Sequence, residues 1–406
     1  MQFELWWLGI IPLFFALGWF ASRIDTRSQV RESAHLPDAY FKGLNFLLND
    51  QPDKAVDAFV DVVKLDPETV ELHFALGNLF RRRGETDRAI RVHQSLLARA
   101  DLQPAQREHA LFELGADFLR AGLLDRAEEA FNGLEKSAYE SAALQHRLDI
   151  AQMVRDWPRA IELAERLQRD AGTDQRRLIA HLHCEMAEQA LADQGLEPAA
   201  RSARAREQIE LALESDRLHP RPWLMRGEAA FEADDCQAAI VAWTELARIS
   251  PSHLALIGDQ WLQAHERVGR PEVGMVRLDS ALGDHPPVDA LRAIALSRAK
   301  RDGLPAAIAW LRESLVRSPS LLGLELLLDL KKQAQGDAGD TDDSADAGDT
   351  ALTASLIERQ AARLARFACS HCGFKGRRFY WQCPGCNHWD SYPPRRTEEL
   401  ESEGSS

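Results

Sequence analysis

The chain has 406 residues, of which 45% are hydrophobic and 28% charged, and a formal net charge of −14. That length and balance fit a folded protein of more than one module, while the negative charge excludes a general nucleic-acid binder, which sets clustered Lys and Arg against phosphate. Six cysteines are too few for a disulfide framework in a chain of this size.

Leu5 to Ser22 is a run of 18 residues without a charge. As a helix it is roughly 27 Å long, close to the ~30 Å thickness of a bilayer's hydrocarbon core. Trp6 and Trp7 at one end and Trp19 at the other match the two headgroup belts where indoles settle. Glu4 precedes the run, and Arg23, Arg27 and Arg31 follow it, so the positive-inside bias puts the rest of the chain on the cytoplasmic side. A cleaved signal peptide calls for a basic n-region and an A-x-A-like cleavage site, and the sequence has neither. Three tryptophans and three phenylalanines also suit a buried soluble helix poorly. Residues 1–22 are therefore predicted to be a transmembrane anchor. Pro12 kinks it and frees carbonyls that a partner helix can meet.

From residue 36 to 335 the sequence repeats. Gly43, Phe46, Ala55, Phe59 and Pro67 fit a 34-residue helix–turn–helix template. The pattern returns at Gly77, Phe80 and Ala89, and again at Gly115, Phe118, Ala127 and Phe131. It weakens at Ala160 and Ala164 and at Ala205, Ile209 and Ala212, then sharpens at Trp223, Gly227, Ala239, Trp243 and Pro251. Two degenerate copies follow, one ending near Pro286 and one carrying Ala307, Leu311 and Pro319. The physical logic is packing: Gly or Ala lets a partner helix come close, an aromatic fills the gap, and proline ends the second helix. An insertion near Asp193 to Ser202 is expected to lengthen one helix pair. The series predicts a tetratricopeptide solenoid, whose concave groove binds extended or helical segments of other proteins.

Three features inside the repeats invite other readings. His181, His183 and Cys184 suggest a metal, but with no partner motif they read as packing residues. Cys236 reads as a small buried residue at a turn. Arg81, Arg82 and Arg83 end a helix, where they complement its dipole or face an acidic partner.

Leu321 to Leu330 is apolar and is expected to cap the stack. Residues 336–351 follow, with six Asp and no base, a composition predicted to form a flexible acidic linker. The segment 352–396 combines a helix, marked by Leu352, Ile357 and Leu364, with the strongest chemical signal in the chain. Cys369-x2-Cys372 and Cys383-Pro-x-Cys386 are separated by ten residues. Each pair turns two thiolates the same way, and two such turns facing each other make a tetrahedral four-sulfur site. Gly373 suits the first tight turn, and Phe379, Tyr380 and Trp381 read as a strand with Phe374 and Trp389 nearby. So small a module needs the metal for stability. A disulfide pair or a thioredoxin-type site fits less well, because no βαβ pattern surrounds it. Iron and zinc both suit the site. Lys375, Arg377, Arg378, Arg395 and Arg396 against a single Asp390 predict docking on an acidic repeat edge or on anionic lipid. Residues 397–406 are expected to be a disordered tail.

Together these residues resemble the lipopolysaccharide assembly protein B family of Gram-negative bacteria, most closely in the closing motif C-x-x-C-G-F…F-Y-W-x-C-P-x-C-x-x-W from Cys369 to Trp389. The resemblance implies an all-α fold: a tetratricopeptide-repeat solenoid with one N-terminal transmembrane helix and a small C-terminal rubredoxin-like knuckle that holds metal through four cysteines. It also implies one metal ion, rubredoxin-like iron or zinc, held by Cys369, Cys372, Cys383 and Cys386, and a place in the inner membrane. The implied role is a non-enzymatic adaptor that brings the lipid A pathway deacetylase, as client, to a membrane-bound AAA protease. The transmembrane helix is implied to contact an inner-membrane lipopolysaccharide sensor. Two alternatives stand beside it: a general envelope-assembly scaffold, and a membrane-tethered rubredoxin-like electron-transfer protein.

Overall fold

The computed structural model describes residues 69–282, 286–338 and 345–403, together with 45, 46, 54, 56–58 and 60. The span predicted at 1–22, and the repeat positions Gly43, Ala55, Phe59 and Pro67, lie outside the described residues. Among the described residues no helix is long and apolar enough to cross a membrane. The chain divides into two units, Met1–Arg155 and Asp156–Ser406.

The first unit pairs α1 (Val70–Arg82) with α2 (Thr86–Leu97) and α3 (Pro104–Arg120) with α4 (Leu124–Asn132), and ends in α5 (Glu140–Met153). Close approach within each hairpin rests on glycine. A Cβ on Gly77 would stand 2.4 Å from the His93 ring, and one on Gly115 would stand 2.7 Å from Phe131. The large residue thus fills the volume that glycine leaves, and Ala89 and Ala127 beside it are fully buried. Leu72, Leu76, Phe80, Phe118 and Phe131 supply the apolar core. His93, standing where the template prefers an aromatic, brings a polar ring into that core. Asp117 meets its Nδ1 at 2.5 Å, and Arg81 neutralises Asp117 at 2.9 Å and also bonds Glu113. Of the basic run, Arg81 is therefore an internal partner, and Arg83 pairs with Glu85.

The second unit opens with α6 (Trp157–Ala171), α7 (Arg176–Ala192) and α8 (Pro198–Ser215). The insertion does lengthen this pair, since α7 has 17 residues and α8 has 18. Next come α9 (Pro220–Glu232), α10 (Cys236–Ile249), a 3₁₀ turn (Pro251–Ile257), α11 (Gly258–Arg267), α12 (Pro271–Leu282), α13 (Val288–Asp302) and α14 (Leu304–Arg317). Here Gly227 would place a Cβ 2.0 Å from Trp243, a fully buried ring whose indole N–H donates to the Leu224 carbonyl. Cys184 and Cys236 are buried free thiols.

One local device closes many of the first helices. In α1 the N–H of Glu85 reaches the Phe80 carbonyl and that of Gly84 reaches Arg81, with Gly84 at φ +80°, the Schellman pattern. Asp235 and Asp234 repeat it after α9, with a left-handed aspartate where glycine stood. Of the prolines read as helix terminators, Pro251 and Pro319 follow the ends of α10 and α14, while other prolines stand in the first turn of the next helix, at Pro104, Pro198 and Pro220, where the missing N–H costs nothing.

Three boundaries differ from expectation. Helix α15 (Leu321–Ala338) and helix α16 (Ala345–Leu364) carry helical backbone into both ends of the segment read as a flexible linker. The composition favours this, since alanine, present at 338, 345, 347 and 351, is the strongest helix former. Ala361 of α16 packs with Leu322 of α15, so both helices cap the stack. The tail read as disordered forms α17 (Thr397–Glu403). Glu398 accepts from the N–H groups of Leu321 and Leu322 and from Ser320, and Glu399 accepts from Val288 N–H at 2.6 Å. These are orphan donors at the starts of α15 and α13, which acidic side chains satisfy well. Thirdly, Phe379–Trp381 is not a strand. The knuckle has only β1 (Phe367–Ala368) antiparallel to β2 (Lys375–Gly376), plus a bridge between Gln382 and Trp389.

Candidate metal centre and its docking face

Two similar turns build the centre. In the first, Gly373 N–H returns to the Cys369 carbonyl at 2.9 Å with φ +74°; in the second, Asn387 N–H returns to Cys383 at 2.8 Å with φ +59°. Asparagine is the non-glycine residue that tolerates this backbone best, which is why only one knuckle carries the expected glycine. Backbone N–H groups approach the sulfurs in both, from Cys372 to Cys369 at 3.5 Å and from Gly385 to Cys383 at 3.4 Å.

The structure brings all four predicted cysteines together, their sulfurs within 4.8 Å of one another. The sulfurs of Cys369 and Cys386 are 3.8 Å apart, and those of Cys372 and Cys383 are 3.7 Å apart. A tetrahedral ion with metal–sulfur bonds of about 2.3 Å has edges of about 3.8 Å, so the set fits such an ion without rearrangement. Electrostatics agree. Burial opposes ionisation of Cys369, but the Ser391 hydroxyl and the backbone of Cys372 and His371 bring its thiol down to about 6. The His388 N–H favours the Cys386 thiolate, yet burial and the neighbouring sulfurs outweigh it and push Cys386 up to about 12. Four thiols that cannot all ionise alone form a site short of positive charge. A metal ion supplies that charge and cross-links the two turns.

The knuckle is locked to the repeats of its own unit by a face whose chemistry the sequence reading missed. The Trp389 ring stacks on His181 at 4.4 Å, and the Trp381 ring stacks on His253 at 5.1 Å. The Arg221 guanidinium lies 5.8 and 5.9 Å from the two indole centroids. Arg221 is 1% exposed and donates to Glu185 and Glu188, each at 2.7 Å. Asp390 accepts from Arg177 Nε at 2.6 Å and lies 3.0 Å from His181 Nε2. At the other edge Arg396 holds Asp289 at 2.7 and 2.8 Å and covers the Phe367 ring. Of the two docking surfaces expected for the basic face, the acidic one is met by Arg396 at Asp289; the Asp390 contact has the opposite sign, with the knuckle's carboxylate seated on Arg177 of the repeats. His181, read as plain packing, is a buried contact residue here.

His181, His219 and Asp390 also come within ligand distance of one another, but they do not fit a metal. Arg221 N–H donates to His219 Nδ1 at 3.1 Å as the cap of α9, which leaves the proton of the neutral ring on Nε2, the atom a metal would need. That N–H faces His181 at 3.0 Å. Burial lowers His181, His219 (to about 2) and His253 (to about 4), so all three rings are neutral. Burial works against the Asp390 charge, but the neighbouring His181 and Arg177 hold it well below the usual carboxylate range. With His181 neutral, Arg177 is the charge that balances Asp390. A sequence signal for this face did exist, since Asp390 is the one acid between 367 and 396.

Comparison with known proteins agrees with this division. Residues 367–393 match the family model described as rubredoxin metal binding domain, and residues 72–108 match the tetratricopeptide repeat. The chain is 33% identical over 394 residues to "Lipopolysaccharide assembly protein B" of Escherichia coli strain K12, covering 95% of this chain and 97% of that protein. It is 27% identical over 407 residues to the protein of the same name from Haemophilus influenzae strain KW20, covering 96% and 98%.

Proposed function

Because the chain belongs to the lipopolysaccharide assembly protein B family, we propose that it is a non-catalytic adaptor in lipopolysaccharide assembly, tethered to the inner membrane by residues 1–22 and facing the cytoplasm. In this reading the repeats hold the lipid A pathway deacetylase as client, and the tether confines it beside a membrane-bound AAA protease. The second encounter becomes effectively intramolecular, with a local concentration on the order of millimolar for a short link. The span is where the inner-membrane lipopolysaccharide sensor makes contact. The ion, iron or zinc, has a structural role.

The observation that carries the adaptor reading is the docked knuckle. Arg221, His181 and Arg177 of the repeats are held against Trp381, Trp389 and Asp390, all within nine residues of a candidate ligand. Metal, knuckle and the repeats of the second unit then form one stiff body, and a stiff body loses less entropy on gripping a client. Removing residues 1–22 is the test. The shortened protein should stay folded and bind client, while client half-life in cells lengthens. Unchanged client turnover without the span counts against the tether.

A further inference from the structure

The faces of the knuckle differ in charge, and only one of them meets the repeats. Asp390, Trp381, Trp389 and Arg396 are engaged there. At the end of the β1–β2 turn, in β2 and just past it, Phe374, Lys375, Arg377 and Arg378 are all exposed, and no acidic side chain pairs with these three cations among the described residues. Phe374 is 43% exposed although its backbone is fixed, since its carbonyl accepts from Cys369 N–H at 3.0 Å and from the Tyr392 hydroxyl at 2.9 Å. The turn is tight, because a Cβ on Gly376 would stand 2.9 Å from the Tyr380 ring. The three cations are unbalanced, and the Phe374 ring, which rests against Gly385 of the second turn, keeps an exposed edge that gains nothing from water.

We propose that this tip, Phe374 with Lys375, Arg377 and Arg378, is a binding site for anionic phospholipid headgroups, with the phenyl ring entering the acyl boundary. Charge complementarity carries the assignment. An anionic leaflet attracts each nearby Lys or Arg, and an aromatic next to a run of cations suits an interfacial contact. The proposal rests on the membrane-tethered reading, which brings lipid within reach of the knuckle. It adds a second, salt-sensitive contact that sets the orientation of the knuckle against the bilayer.

The test uses the full chain reconstituted with vesicles of phosphatidylcholine alone or mixed with phosphatidylglycerol, carrying a benzophenone amino acid in place of Phe374. Photolysis should give lipid adducts at the tip with phosphatidylglycerol, few with phosphatidylcholine alone, and a sharp fall at high salt, where charges are screened. The triple variant Lys375→Gln, Arg377→Gln and Arg378→Gln should lower the tip's affinity for anionic lipid on the order of 100-fold. Metal content measured on the same sample shows that the knuckle is still folded. Adducts that ignore lipid charge and salt, no adducts at all, or a dominant crosslink to another protein in native membranes would each overturn the proposal. Carbonate extraction separates the two readings. Carbonate-resistant protein without tip adducts refutes the tip alone. Flotation only with phosphatidylglycerol, reversed by salt, refutes the anchor and supports the tip. No flotation with either vesicle refutes both.

Discussion

Asp390, the one acid of the knuckle, accepts a 2.6 Å hydrogen bond from Arg177 on α7, 213 positions earlier in the chain. This pair, with the Arg221 guanidinium near two indoles, turns a metal-folded appendage into a fixed part of the repeats. Replacing Asp390 by Ala leaves the half-exposed Arg177 to water and should cost at most about 1 kcal/mol. Arg177→Ala should cost more, about 2 kcal/mol, because it leaves the more buried carboxylate of Asp390 without its balancing charge. Hydrogen exchange across 367–396 should rise more in the second variant than in the first, with the exchange of α9 and α10 changed far less.

Acid should undock the knuckle before it unfolds the repeats. Burial depresses His181, His219 and His253 below the ordinary imidazole value. The unfolded chain therefore binds more protons, so the stability they confer is present above about pH 6.5 and is lost as pH falls below it. Asp390, also depressed, acts in the same direction at lower pH: its contribution is present above about pH 4 and fades below it. Trp381 and Trp389 fluorescence, read as the difference from a variant with both replaced by Phe, should change between pH 6.5 and pH 5 at constant helical content. A flat response over that interval contradicts the assignment of neutral buried rings.

Two glycines should respond to alanine for different reasons. Gly227→Ala drives a methyl into the buried Trp243 ring and should cost about 3 kcal/mol or more through overpacking. Gly84→Ala meets nothing within 4 Å and should cost about 1 kcal/mol, from the left-handed backbone alone. Thermal unfolding of the two variants measures the difference.

The C-terminal helix is a staple. Truncation after Arg396 removes Glu398 and Glu399 from the starts of α15 and α13, and each lost cap is worth about 1 kcal/mol. Exchange of the first-turn amides of both helices should rise, while the metal centre keeps its ion.

The periodic and covalent features were legible in the sequence, and the long-range ones were not. Gly77, Gly115 and Gly227 announced helix hairpins because sterics at one position demand glycine, and four cysteines at knuckle spacing announced the centre. His93 and Asp117 were silent, since a polar pair replacing an aromatic is defined only by a partner 24 residues away. The same holds for Arg221, His181 and Asp390, whose meaning arises from a contact across the unit. Glu398 was hidden in an acidic tail whose composition resembles disorder, although its carboxylate caps a helix 77 positions earlier.

In the proposed adaptor, the metal, the docked knuckle and the repeats of its own unit grip the client together. The sharpest check is to replace Cys383 and Cys386 by Ser and read metal content, exchange at 367–396 and client affinity on one preparation. Metal should be lost, exchange should rise across the knuckle and at Arg221 and His181, and client affinity should fall with them while the repeats stay helical. A metal-free protein that keeps helical repeats and undiminished client affinity would refute this arrangement.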